Sequence, residues 1–241
     1  RYTIDGTVND AVVAVREMNL AGLPDSQRNW LNEHTVYTHG YGFYAAYGNQ
    51  RSAEGDPVFF EGGSRNNLGD YEPRIYFGEL SPQYSVVGAP QGATPKEYDR
   101  PGSTEGSSVA NTYAGGGGVE IGSLARRLAY AVKYREANFL LSYAVSSEPR
   151  ILHHLRLNER VARVAPWLTL DGNVYPAVVD GRIQWIVDGF TTSSNYPNSR
   201  LVDQADATSD SVAQRSNVVQ VRSGEVNYIR NAVKATVDAE D

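Results

Sequence analysis

The pair Asp180-Gly181 constrains this chain more than any other two residues. It separates two runs rich in apolar and β-branched side chains, 174–179 and 182–190. Asp-Gly supplies the positive φ angles of a two-residue type I′ turn, so the spacing predicts a β-hairpin. Strand alternation then places Ile183, Trp185 and Val187 on one face and Arg182, Gln184, Ile186 and Asp188 on the other. One amphipathic hairpin cannot bury its apolar face alone, and the chain offers it company. Val12 to Met18, 74–77, 84–87 and 232–238 also read as strands. The last has no following hairpin partner and is expected to lie at a sheet edge or to borrow a partner.

Helices are signalled between these runs. Ser123 is a credible N-cap, after which Leu124, Leu128, Ala131 and Val132 share one face with Arg126 and Arg127 off it. A second helical stretch covers 138–145, and a third runs from about Asn158 until Pro166 stops it. Asp25 or Ser26 is expected to cap a short helix carrying Trp30 and Leu31, with 35–37 extended beyond it. Glycine, proline and polar residues dominate 47–71 and 88–114, which read as long surface loops, and 201–216 reads as a mobile one. The second loop ends in Gly115 to Gly118, a hinge or a close-packed turn. No lysine follows in the position a phosphate-binding loop requires. The expected fold class is α+β: a mixed, mainly antiparallel sheet with several helices and long glycine-rich polar loops, in a single domain over 1–241.

Composition removes several functions. Net charge is -6 with a pI near 5.3, which supplies no positive field for nucleic acid. The absence of cysteine excludes disulfides, thiolate catalysis and cysteine-ligated zinc. No window approaches the ~20 apolar residues of a membrane-spanning helix. His153-His154 are adjacent, whereas two histidines sharing a metal from one helix stand at i, i+4. They read as surface or partly satisfied residues, and no metal or cofactor is expected.

The run Tyr37-Thr38-His39-Gly40-Tyr41-Gly42 has neither helical nor strand periodicity and reads as a site or a tight corner. It comes in order with Arg16-Glu17-Met18-Asn19, Tyr76-Phe77-Gly78-Glu79, Gly116-Gly117-Gly118-Val119 and Arg126-Arg127-Leu128-Ala129-Tyr130-Ala131. Glu159-Arg160-Val161, Ala165-Pro166-Trp167-Leu168, Tyr175-Pro176, Trp185-Ile186-Val187-Asp188 and Asn227-Tyr228-Ile229-Arg230-Asn231 follow. In motif order and spacing the chain resembles uncharacterised protein family 0182 over nearly its whole length. The resemblance implies a piece of the large soluble region of a multi-pass membrane protein of actinobacteria and cyanobacteria, facing outward from the cytoplasmic membrane. It implies no established activity. Two places depart from the family pattern: Glu240-Asp241 follow Val237-Asp238-Ala239 where a tyrosine and a further strand are usual, and Asn198 stands where a second aromatic is usual.

Three function classes follow from the residues. An enzyme would use His39 as base or ligand, Glu79 or Asp188 to orient it, and Arg126 or Arg127 as an anion clamp. Each has a plainer role: His39 bonding a backbone carbonyl, Glu79 capping or pairing, Arg126-Arg127 in a structural ion pair, Asp188 meeting water. A binding module would use its sixteen tyrosines and three tryptophans, Tyr41 among them, as rigid contact surface. A structural domain would pack on its own transmembrane region or on copies of itself. The favoured expectation is a non-enzymatic extracytoplasmic domain binding an envelope glycan, another envelope component or a partner protein. The alternative is a hydrolase or transferase of envelope glycans or lipids centred on His39.

Overall fold

The computed structural model describes residues 1–63, 65–90, 92–104, 107–145, 149–203 and 224–241. Backbone proximity gathers them into two compact units, each discontinuous in sequence. One comprises Arg1–Val15, Phe43–Pro73 and Arg156–Ala239, the other Arg16–Gly42, Arg74–Leu155 and Glu240–Asp241. The class is α+β, and the named strands pair antiparallel throughout the described residues.

The first unit is built on the hairpin. Asp180 and Gly181 take φ of 50° and 75°, and Tyr175–Val179 pairs with Arg182–Ser193 in the register Val179↔Arg182 to Tyr175↔Ile186. Ile183, Trp185 and Val187 are buried, as alternation requires. The opposite edge of Arg182–Ser193 takes Tyr228–Asp238 along ten residue pairs, with one bulge between Gly189 and Phe190. Among the described residues Tyr228–Asp238 lies at an edge of this sheet. Ala11–Val15, Phe43–Arg51, Pro57–Gly62 and Arg65–Asn66 form a second four-stranded sheet. The loop expected over 47–71 is thus largely strand. Its ends are polar and exposed, so they lack the alternation that marks a half-buried strand. The expected mobile loop 201–216 lies outside the described residues from 204 onward.

The second unit holds a three-stranded sheet of Val119–Glu120, Arg150–His153 and Tyr84–Val87, beside helices α1 (Leu124–Tyr134) and α2 (Asn138–Leu141). Ser123 caps α1, its side chain accepting the N–H of Arg126. The apolar face the sequence drew on α1 is not the face that packs. Leu124, Leu128 and Val132 are 71%, 53% and 71% exposed. Ala131 is buried and Tyr130 and Tyr134 half-buried against Tyr84 and Phe139, with ring centroids 4.2 Å apart for Tyr84 and Tyr134 and 6.1 Å for Tyr130 and Phe139. Aromatic rings bury more area per side chain than leucine, and the packed face is theirs.

Three further expectations change here. Trp30 and Leu31 open a helical turn that continues as a π-helix, Asn32–Val36, so 35–37 is not extended. Asn29 rather than Asp25 or Ser26 meets its start, its side-chain oxygen accepting the N–H of Asn32. Residues 88–114 are not simply loop: Glu97–Pro101 and Ser108–Asn111 form a hairpin. Its strands carry charge and proline where a β pattern would carry apolar residues.

Candidate functional site

His39 is set by two glycines and a strand. Gly40 and Tyr41 pair with Arg74 and Ile75, and the backbone of Arg16 brackets them, accepting from Tyr41 N at 2.9 Å and donating to Gly42 O at 3.0 Å. A Cβ on Gly40 would stand 2.3 Å from the Arg16 carbonyl oxygen, so this close approach demands glycine. A Cβ on Gly78 would meet the Glu17 carboxylate at 2.5 Å, which accepts the N–H groups of Glu79 and Leu80 at 3.1 and 2.6 Å. Three of the ordered motifs, those of residues 16–19, 37–42 and 76–79, therefore meet at one packing point.

The His39 side chain is wholly enclosed. Its Nε2 lies 3.2 Å from Asp99 Oδ1, its Nδ1 3.0 Å from Thr38 Oγ1 and 3.8 Å from Glu97 Oε2, and its ring centroid 4.6 Å from that of Tyr76. Asp99 is the extra residue of a β-bulge between Tyr98 and Arg100, and its Oδ1 also accepts Arg74 Nε at 2.7 Å. Glu97 is saturated. It accepts the hydroxyls of Thr38 and Tyr76 on Oε2 at 3.1 and 2.8 Å, and the N–H groups of Gly88 and Tyr113 on Oε1 at 2.9 and 3.0 Å.

Burial holds the His39 pKa below the usual imidazole value despite the opposing pull of Glu97 and Asp99, with Arg74 adding to the depression. In the neutral ring Nε2 carries the hydrogen, because Asp99 can only accept. Nδ1 then accepts from Thr38, whose single hydroxyl hydrogen serves either His39 or Glu97. Burial, with Glu97, likewise raises the Tyr76 phenol. The cluster ties 37–42, 74–76 and the 97–111 hairpin together. A substrate cannot reach an imidazole so enclosed unless the hairpin opens.

The other expected site residues stand elsewhere. Tyr41 is half-buried at the margin, with the Arg100 and Arg74 guanidinium carbons 5.4 and 6.0 Å from its ring centroid. Glu79 does not orient His39; it lies by Glu17, and desolvation and then that like charge push it up to about 7. Because Glu79 is exposed as a residue, solvent screens the Glu17 contribution. Arg126 donates to the Glu120 carbonyl at 2.9 Å, and Arg127 to those of Ile121 and Gly122 at 3.3 and 3.1 Å. These arginines tie the strand end to α1 through carbonyls. Asp188, in the first unit, bonds Lys234 Nζ at 2.6 Å where water was expected.

Sequence reasoning missed Glu97, Asp99 and Arg74. The one available signal was the spacing of two acids at i, i+2, which share a strand face. The glycine run is a close-packed turn: Arg150 donates to the carbonyls of Gly115, Gly116 and Gly117. The Asp241 carboxylate accepts Gly116 N and the Tyr113 hydroxyl. Among the described residues no three His, Asp or Glu side chains are grouped to hold a metal ion, and no helix is long and apolar enough to cross a membrane.

The model of the uncharacterised protein family UPF0182 matches residues 1–241. UPF0182 proteins of Arthrobacter sp. (strain FB24) and Bifidobacterium adolescentis are each 51% identical over 247 aligned residues, covering 100% of this chain and 25% and 22% of the relatives. One from Tropheryma whipplei is 51% identical over 99% of the chain and 25% of its own length. The chain thus spans about a quarter of the curated relatives it matches. No solved structure matches it.

Proposed function

The chain belongs to the uncharacterised protein family UPF0182, and from that premise we propose that it is an extracytoplasmic, non-catalytic domain of a larger membrane protein. It binds its partner or envelope component through the exposed face of α1 and α2. One observation carries this reading: α1 turns Leu124, Leu128 and Val132 to solvent while its aromatic face packs. Leu141 and Tyr143, 80% and 77% exposed, follow in and after α2, which packs on α1. Scattered exposed leucines are ordinary, but an aliphatic ridge at i, i+4, i+8 on one helix is a surface suited to being covered.

The chain has no cysteine, so single cysteines placed in it report on their own positions once any cysteine elsewhere in the whole protein is replaced. In the whole protein in intact cells, Glu54→Cys is expected to react with a membrane-impermeant maleimide, and Leu128→Cys to be shielded. Reaction at position 54 only after lysis would place the domain on the inner side. Free reaction at position 128 in membranes would remove the binding face.

A further inference from the structure

We propose that Arg74 and Arg100, gathered on the Tyr41 ring, form a binding site for a phosphate group. It shares no residue with the α1 face. All three side chains belong to the second unit, and the backbone explains why they meet. Tyr41 and Arg74 are directly paired in antiparallel strands, so their side chains share a sheet face. Arg100 arrives from the 97–111 hairpin, where the bulge at Asp99 sets it opposite Val109. Strict alternation would aim Arg100 away from Asp99, and a bulge re-aims the side chain. The Arg100 guanidinium carbon thereby comes to 5.4 Å, and that of Arg74 to 6.0 Å, from the Tyr41 ring centroid.

Charge and hydrogen bonding at this rim call for an anion. Both guanidinium groups turn Nε to one buried carboxylate, that of Asp99, Arg74 at 2.7 Å from Oδ1 and Arg100 at 3.7 Å from Oδ2. Asp99 Oδ1 also takes the Nε2 hydrogen of His39. Its single negative charge is thus shared with a neutral ring while two positive charges stand beside it. At 3.7 Å the Arg100 contact is too long for a hydrogen bond, and among the described residues the Arg100 side chain makes none. Its side chain is 53% exposed, so its donors are turned to solvent. The Tyr41 ring and the carboxylate behind it hold the two cations together in advance of a ligand. A carboxylate's two oxygens are matched by one guanidinium fork. A phosphate group, with more oxygens and up to two negative charges, takes donors arriving from two strands at once.

The test is a titration of the 241-residue chain with inorganic phosphate, at constant ionic strength set with chloride. NMR follows the Nε–H signals of Arg74 and Arg100 and the ring signals of Tyr41. Saturable shifts of all three are expected at millimolar phosphate. Arg100→Gln should weaken the binding about ten-fold and leave the thermal midpoint unchanged, since an exposed guanidinium 3.7 Å from its acid adds little stability. Arg100→Lys, which keeps the charge and loses the fork, should fall between the two. Arg51→Gln, at an exposed arginine of the other unit, should change nothing. Glycerol phosphate separates the sources: binding tighter than that of inorganic phosphate assigns the site to a phosphate ester, weaker binding assigns it to the free ion, and both uphold it. Absence of saturation, shifts equally strong with acetate, or an Arg100→Gln variant that binds as the parent does would overturn the proposal.

Discussion

At the scale of single residues, the His39 cluster is a sealed polar knot whose members depend on one another's hydrogens. Glu97 accepts three hydrogen bonds and competes with His39 for a fourth, from Thr38, with no exposed surface to spare. Replacing it by glutamine puts an NH2 donor against donors, so Glu97→Gln should cost about 3 kcal/mol, read as a lowered urea midpoint. His39, with its pKa depressed by burial, binds fewer protons folded than unfolded, so its contribution to stability is present above about pH 6.5 and is lost as pH falls below that value and through the lower folded pKa. Following its imidazole by NMR should show a protonation midpoint below the usual imidazole value of about 6.5; a higher midpoint would contradict the sealed site. Glu79 acts with the opposite sign. Raised to about 7 from 4.5, it binds more protons folded than unfolded in that window, so stability falls as pH rises across it. Glu79→Gln should raise the thermal midpoint at about pH 8 and leave it unchanged at about pH 4, a difference calorimetry at the two values would register.

At the scale of elements, helix α1 shows what a hydrophobic pattern can and cannot specify. The Ser123 cap and the i, i+4 periodicity are local, and they located the helix. Which face packs depends on partners distant in sequence, Tyr84 among them, and those were invisible in the pattern. Phe139→Ala should therefore cost about 3–5 kcal/mol, while Leu128→Asp stays within about 0.5 kcal/mol of the parent; thermal melts of the two variants check this, and a large loss at Leu128 would show the ridge to be core. The hairpin at Asp180-Gly181 was legible for the same local reason, since the turn dictates register. The hairpin of 97–111 was not. Its acids face a histidine about sixty residues away, and polar strands made to enclose one side chain carry no apolar alternation.

At the scale of the molecule, the residues around His39 hold distant segments of the second unit together. Gly40 and Gly78 are needed for the backbone of 16–17 to pass closely, and Thr38 and His39 serve the enclosed acids. The sequence offered Glu79 or Asp188 as the carboxylate beside His39, where the fold sets Glu97 and Asp99, because pairing in space is set by the fold and not by proximity along the chain. The surface that this enclosed knot leaves available is the aliphatic ridge of α1. The most direct measurement is the maleimide reaction rate of Leu128→Cys in native membranes relative to the isolated chain, each normalised to Glu54→Cys. A face covered nine-tenths of the time should react about ten-fold more slowly in the membrane; equal normalised rates would contradict the account.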